Sequence, residues 1–542
     1  MPPSRDELTE GAKAVGALAR IGLLKPSVAT AAAKHTRRWG PTPPAGYAAA
    51  AGRVPFETAI VDDDGVLSFA EVHGLSNALA RALVDRGVTS DDSVALLCRN
   101  HRWFVVAAVA IAKTGADTIY LNTGFAGPQI AEAIAREGAS TVIADAEFVD
   151  MIDEHGSARE CIVAWTDGSR TPHPTIADLV GRFARTEPDP PARPGRQIIL
   201  TSGTTGTPKG AKRPTPTGLV ATTAIFRVIP WRIGDVHLVA APMFHALGNG
   251  GYQMAAQFSH RLVCQRRYDP EATLAVIDAE SVTAMTCVPV MLQRILELPD
   301  EVIDRYDTSS LRLIQCGGAA LPGSLAVRWM DRFGDHLYNM FASTEVGTVS
   351  IATPADMRVA PGSAGRPLPG TVVKLFDDDD REVPPGQPGR IFAGSGLEFE
   401  GYTGGVEHKA MIDGLMSIGD VGYFDPDGRL FVGGRDDDMI VSGGENVFPR
   451  EVADLLADHP AIGEVAVIGV DDDAFGARLA AFVVVRDDQT IDEDAIKQHV
   501  RANLAGYKVP RSVTFLDELP RTSTGKIQTK DLREPRSSAG ES

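Results

Sequence analysis

Cysteine is scarce in this chain and scattered. Cys98, Cys161, Cys264, Cys287 and Cys316 are the whole complement, without the paired spacing of a metal site or the density of a disulfide scaffold, so buried reduced thiols are expected. Positive charge is short as well. Lys and Arg number 53 against 71 Asp and Glu, a formal net charge of −18, which makes nucleic acid an unsuited partner. Long apolar runs are missing too. The longest, Trp103 to Ala112, stops at Lys113, well short of the roughly 20 residues that span a bilayer. The first residues carry Asp6, Glu7 and Glu10 where a secretion signal has a basic head and a compact apolar stretch. A cytoplasmic location is therefore expected, without a transmembrane segment. Leu8, Ala12, Val15, Leu18 and Gly22 fall at helical spacing before Pro26. This face is expected to pack on the body of the protein, with peripheral contact at the inner membrane surface as the other option.

What is present is enough for two or three cores, since the chain has 542 residues and 44% apolar content. From Val61 to Ala144, apolar runs such as Val94 to Cys98 and Thr141 to Ala144 alternate with helical stretches at Leu75 to Asp85 and Pro128 to Arg136, the pattern of a layered α/β fold. A Pro/Arg-rich connector, Arg185 to Gln197, leads into a second α/β run. Its strands are expected at 236–240, 284–288 and 311–315, with helices at 270–279 and 289–298. After about Pro361 short alternating runs such as 372–376 and 389–393 indicate a small β-rich subdomain. The last hundred residues read as an α+β unit, with helices at 451–459 and 491–504 and strands at 465–470 and 479–485. Pro535 to Ser542 is expected to be a disordered tail. The fold class is thus α/β, with a small α+β domain at the C-terminal end.

Residues Ile198 to Lys209 pass from a buried-strand pattern into a loop of glycines, hydroxyls and one lysine. Gly203 and Gly206 let backbone N–H groups turn toward an anion, Thr201, Ser202, Thr204, Thr205 and Thr207 add hydroxyls, and Lys209 adds charge. Phosphate suits such a loop. The nucleotide P-loop pattern fails, because Pro208 precedes Lys209 and Gly210 follows it.

Further along stand Pro242-Met-Phe-His-Ala-Leu-Gly, Gly317-Gly-Ala-Ala-Leu, Phe341-Ala-Ser-Thr-Glu, Ile418-Gly-Asp, Gly434-Arg-Asp-Asp-Asp-Met-Ile, Gly443-Gly-Glu-Asn and Pro520-Arg-Thr-Ser-Thr-Gly-Lys-Ile. Taken singly, Lys526 is a surface lysine, Asp420 a turn residue and Glu345 a helix-terminal charge. In this order, with the phosphate loop, the motifs resemble across nearly the whole chain the adenylate-forming superfamily. That superfamily holds acyl-CoA synthetases, luciferases and peptide-synthetase adenylation domains.

The resemblance implies that a carboxylate attacks the α-phosphate of ATP to give an acyl adenylate, from which a thiol displaces AMP. ATP, Mg²⁺ and CoA are the implied co-substrates and cofactor. The loop from Thr201 to Lys209 would hold the leaving phosphates, Glu345 the metal, and Thr344 the α-phosphate. Phe341 would stack on adenine against Gly317, Gly318 and Ala319, while Asp420 and Arg435 would bind the ribose. Lys526 would reach the attacking carboxylate and the bridging oxygens. Asp437 matches the family's hinge, whose rotation brings Ser442, Gly443, Gly444 and Glu445 to the thioester site. The implied boundaries are 1–434 for the ATP- and acyl-binding domain, 435–438 for the hinge and 439–534 for the mobile C-terminal domain.

His245 resembles a gate residue of the acyl pocket. Phe244-His245-Ala246 lacks the aspartate of amino-acid-activating relatives, so an amino acid is disfavoured. The small apolar run through Leu247, Gly248, Gly250, Gly251, Tyr252 and Met254 suits an aliphatic or aryl tail. A medium- or long-chain fatty acid is the first expectation and an aryl acid the second. An acyl-AMP ligase that loads a carrier protein, a luciferase-like oxygenase and a non-catalytic nucleotide or acyl binder are the alternatives. A homodimer is left open. Ala342 and Ile418 depart from the Gly and Thr usual at their positions.

Overall fold

The computed structural model describes residues 5–155, 158–201, 209–211, 219–343, 346–394, 410–435, 440–442, 445–472, 476–487, 489–522 and 525–533. For 5–8, 201, 209–211, 219–222, 441–442, 445–446, 471, 476–477 and 507 it describes the backbone alone. The expected C-terminal tail lies outside them. The described residues form two compact units, one running to Gly317 and one holding Gly318–Ser343, Thr348–Gly394 and those from 410 onward.

The first unit has two sheets. The strands of one are β3 (Ser93–Leu97), β4 (Asp117–Tyr120), β5 (Ala139–Ala144), β6 (Glu160–Val163), β7 (Gln197–Thr201) and β8 (Lys209–Ala211), in the order β6-β5-β3-β4-β7-β8. They are parallel up to β7, and β8 returns antiparallel to it. The other takes β1 (Thr58–Asp62), β2 (Gly65–Ser68), β9 (Val236–Val239), β10 (Arg261–Val263), β11 (Ala284–Cys287) and β12 (Leu313–Gly317), in the order β12-β11-β9-β10-β1-β2. Only β2, which forms a hairpin with β1, runs antiparallel. The parallel strands and their crossover helices bear out the α/β expectation. β12 begins two residues later than the pattern indicated and so carries Cys316 and Gly317 within it.

The helix Phe69–Asp85 starts at a capping box in which Ser68 Oγ accepts from the Glu71 N–H and the Glu71 carboxylate accepts from the Ser68 N–H. The long apolar run forms the helix Arg102–Thr114, apolar on nearly every side and buried from Phe104 to Ile111. It is a core helix, and no helix among the described residues is long and apolar enough to cross a membrane. At its end Lys113 is buried, donating to Asn77 Oδ1 at 2.6 Å and Ser76 Oγ at 2.7 Å, and burial lowers its pKa to about 7.

The N-terminal helix Arg5–Ile21 packs on the helix Leu219–Val228, with Glu10 paired to Arg227 at 2.7 Å. The buried residues are Ala14, Ala17 and Ile21, and Val15 is exposed. Packing on the body is thus observed, but through a face turned from the one the spacing indicated. All five cysteines are buried and free, as expected. The Asp377–Asp380 run forms a solvated turn in which Asp377 Oδ1 accepts from the N–H groups of Asp379 and Arg381.

In the second unit β13 (Leu337–Ser343), β14 (Gly347–Ala352) and β15 (Arg366–Pro367) lie side by side. The β-rich subdomain comprises β16 (Val372–Phe376), β17 (Gly389–Gly394), β18 (Met411–Ile412), β19 (Leu415–Phe424) and β20 (Leu430–Arg435). The C-terminal sheet has β21 (Ile440–Ser442), β22 (Glu445–Val447), β23 (Ile462–Asp472), β24 (Gly476–Val485) and β25 (Ser512–Phe515), in the order β22-β21-β24-β23 with β25 beside β24. One face of it packs through Val467, Leu479, Ala481 and Val483 on the helices Pro449–Ala457 and Glu493–Asn503. The alternation of β23 sends Ala466 and Ile468 to the other face, where Leu519, Ile527 and Leu532 cover them. That packing seats the segment bearing Lys526.

Candidate active site

The stem of the phosphate-type loop is a β-ribbon. β7 is anchored by the buried Ile198 and Leu200, and its end pairs with β8 so that Thr201 faces Lys209 and Leu200 faces Gly210. Ser202, Gly203, Thr204, Thr205, Gly206 and Thr207 lie outside the described residues, as do Thr344, Glu345, Asp437, Gly443 and Gly444. Ser442 and Glu445 face each other across the β21–β22 hairpin.

The segment before His245 is held by a residue with no signal in the sequence. Asn100, buried just past β3, donates to the carbonyls of Val239 and Ala241, each at 3.0 Å, and accepts from the Met243 N–H at 2.8 Å. The buried Asn249 donates to Met243 O at 3.1 Å. Gln253 donates both to Asn249 Oδ1 and, at 2.8 Å, to Gln197 Oε1 on β7. This polar chain ties the acyl-side segment to the strand that enters the phosphate loop. His245 is half-buried at the N-cap position of the helix Ala246–Phe258, its ring 4.5 Å from that of Phe244.

Two of the three glycines of that helix serve packing, and Gly250 is exposed with open space beside it. A Cβ on Gly248 would lie 2.3 Å from Pro242 O, and one on Gly251 3.0 Å from Val239 Cγ2. Tyr252 is wholly buried, edge-on to Phe104 at 5.9 Å. Gly248, Gly251 and Tyr252 are therefore committed to the core and do not supply the open apolar run that the sequence implied.

Gly317 is buried at the end of β12, Gly318 turns with φ +80 and is exposed, and Ala319 is half-buried. Cys316 is a packed strand thiol, as expected. Phe341 is half-buried in β13 and Ala342 is exposed. The Ile418 side chain is wholly buried, so it packs in the subdomain core.

Asp420 and Arg435 pair within the second unit, and Lys526 lies near enough to feel both charges. Asp420 on β19 lies opposite Arg435 on β20, with Arg435 Nη1 3.8 Å from Asp420 Oδ2 and donating to Ile418 O at 3.3 Å. Gly419 has φ +75, and a Cβ there would sit 3.1 Å from Arg435 Nη2, so glycine leaves room for the guanidinium. Lys526 is an exposed residue, yet protein crowds its ammonium. Desolvation first and Arg435 second hold its pKa below the ordinary lysine value, while Asp420 acts the other way. Two cations and one carboxylate leave an excess of positive charge that suits a phosphate or a carboxylate, and the carboxylate suits a vicinal diol. This donor set fits a nucleotide.

Among the described residues Cys98, His101 and Asp145 bring three metal-type atoms within 4.8 Å of one another. The histidine is already spent. Its Nε2–H donates to Asp145 Oδ1 at 2.7 Å, and its Nδ1 accepts from the N–H groups of Trp103 and Phe104 as a helix cap. Burial, then the Asp145 charge, raises the Cys98 thiol well above its ordinary value. The cluster is a structural cap and not a metal centre.

Residues 47–403 match the AMP-binding enzyme family and residues 451–526 its AMP-binding enzyme C-terminal domain. The chain is 33% identical to the indoleacetate–CoA ligase of Aromatoleum aromaticum over 89% of this chain and 96% of that one. It is 34% identical to a feruloyl-CoA synthase of an Amycolatopsis species, over 88% and 96%. Among solved structures it is similar to the anthranilate CoA ligase AuaEII in complex with anthranoyl-AMP, with a TM-score of 0.81, 26% identity and coverage of 91% and 96%. The chain belongs to the AMP-binding enzyme family, within the adenylate-forming superfamily its motifs resemble. It is an AMP-forming CoA ligase, with ATP and CoA as co-substrates and Mg²⁺ as cofactor.

Proposed function

We propose that this ligase activates an aromatic carboxylic acid. A carboxylate oxygen of the acid attacks the α-phosphorus of ATP and the bond to pyrophosphate breaks. The CoA sulfur then attacks the acyl carbon and AMP leaves. The Asp420–Arg435 pair, whose charges reach Lys526, carries the adenylation reading, because it offers a diol acceptor and a cation within the field of a second cation. Similarity to ligases for indoleacetate and ferulate supports an aromatic ring. The apolar run through Gly248, Gly251 and Tyr252 suits an aliphatic or an aryl tail alike, and packing consumes those three residues, so the relatives alone favour the ring.

In this reading the loop from Thr201 to Lys209 holds the leaving phosphates. Glu345 would hold Mg²⁺, which would supply neutralising charge there, and Thr344 would contact the α-phosphate. Phe341 stacks on adenine beside Gly317, Gly318 and Ala319, and His245 borders the acid. Rotation at Asp437, within a hinge at 435–438 between domains 1–434 and 439–534, brings Ser442 to Glu445 toward the pantetheine arm.

The test is a panel of indoleacetate, ferulate, anthranilate, benzoate, fatty acids of increasing length and amino acids. Pyrophosphate is followed with and without CoA, and the thioester by mass spectrometry. Aryl acids are expected to turn over at least tenfold faster than fatty acids, about 1.4 kcal/mol of discrimination. A preference for fatty acids would overturn the aryl assignment, and pyrophosphate without a thioester would point to a carrier-protein acceptor. Asp420→Asn is expected to raise KM for ATP by about 10- to 100-fold, because a charge-assisted hydrogen bond is worth about 1.5–3 kcal/mol. An unchanged ATP saturation curve would remove Asp420 from the ribose site.

A further inference from the structure

The turn that presents Lys526 is held by a side-chain pair outside the assigned site. Arg521 and Ile527 form an antiparallel bridge. Between them the Thr522 N–H donates to Lys526 O at 2.7 Å, the Lys526 N–H donates to Thr522 Oγ1 at 3.1 Å, and the Gly525 N–H donates to Thr522 O at 2.8 Å. Arg521 clamps this turn from the side. Its Nη1 donates to the carbonyl of Gly525 at 2.7 Å, and its Nη2 lies 3.0 Å from Glu464 Oε2, with both side chains less than a fifth exposed. Glu464 is on β23 two residues before Ala466, on the face that Leu519 and Ile527 cover. The carboxylate is thus fixed to the sheet, and the guanidinium carries that fixity to the residue before Lys526.

We propose that Arg521, anchored by Glu464, is a positioning residue for adenylation, which sets the Lys526 ammonium beside Asp420 and Arg435 and touches no substrate itself. A planar guanidinium holds a carboxylate and a carbonyl from two separate nitrogens in one fixed geometry, whereas lysine offers its donors from a single nitrogen on a flexible stem. This pair is largely shielded from water, so it escapes the screening that makes exposed ion pairs weak. The thioester step does not use Lys526 and should not depend on the pair.

The inference rests on the adenylation role of Lys526, so its test has one readout with substrate and one without. Arg521→Ala is expected to lower kcat for acyl-adenylate formation by about 10- to 100-fold, the scale of a misplacement near 1 Å. KM for ATP, and thioester formation from supplied acyl adenylate, should stay within about twofold. Arg521→Lys and Glu464→Gln, which preserve the fold more closely, are expected to give smaller losses in the same half-reaction. In the substrate-free experiment an amine-reactive reagent labels Lys526 across pH, followed by mass spectrometry. Freed from the crowding and from Arg435, Lys526 of Arg521→Ala should show a labelling midpoint moved up toward that of an ordinary lysine. An unmoved midpoint, or equal loss in both half-reactions, would overturn the proposal. A moved midpoint with adenylation unchanged would uphold the positioning of Lys526 and sink its proposed adenylation role instead.

Discussion

Lys526→Ala should lower the rate of acyl-adenylate formation by about 10²- to 10³-fold, the usual effect of removing one preorganised group that meets charge developing in a transition state. The cause is local. Charge grows between the attacking carboxylate and the α-phosphate, and the ammonium is already crowded by protein beside Arg435 and Asp420, so little reorganisation is needed when charge appears. Thioester formation from supplied acyl adenylate should survive, since thiol attack needs no second cation there.

The pH profile gives an independent sign. The Lys526 pKa is lowered in the folded protein, chiefly by desolvation and then by Arg435, and the ammonium is the active form. Adenylation should therefore fall as pH rises, with a midpoint below the ordinary lysine value of about 10.4. This limb should be absent from the thioester half-reaction and from the residual rate of Lys526→Ala. Stopped-flow or rapid-quench measurement of each half-reaction checks both points, and parallel loss in the two would refute the division of labour.

Asn100→Ala should destabilise the first unit by about 3–5 kcal/mol. Asn100 makes three hydrogen bonds, to Val239 O, Ala241 O and the Met243 N–H, from a buried position. Truncation leaves these groups unpaired, each at about 1–3 kcal/mol, with some relaxation among them. Asn100→Asp should cost at least as much, because it turns an acceptor toward two carbonyls. KM for the acid should rise more than KM for ATP, since the released segment is the one that leads to His245. Denaturant unfolding with both saturation curves tests this, and a loss under 1 kcal/mol would show that Asn100 does not brace the segment.

Local signals carried much of the fold. The apolar runs and the α/β alternation appear as elements close to where the pattern puts them, because alternation acts within a few residues. The helix expected from Leu75, by contrast, starts at Phe69, behind a Ser68 and Glu71 capping box that the spacing of apolar residues does not register. Faces were harder to read. In the N-terminal helix Val15 and Ala14 are neighbours, and small residues all round leave the spacing of apolar positions nearly indifferent to which side faces inward. Only contact with the helix Leu219–Val228 selects Ala14 and Ala17.

The candidate site divides along the same line. The order of the motifs by itself was enough to resemble the adenylate-forming superfamily, to whose AMP-binding enzyme family the chain belongs, and that resemblance is what proposes Lys526, Asp420 and Arg435 as charged residues of the site. Packing decided what the remaining residues are for. Gly248 and Gly251 read as open pocket wall until the backbone of Pro242 and the side chain of Val239 are brought against them. Asn100 and the segment it braces are some 140 residues apart, and Arg521, at the base of a turn, meets Glu464 on β23. Such partners share no period or motif, and nothing short of the folded chain brings them within hydrogen-bond reach.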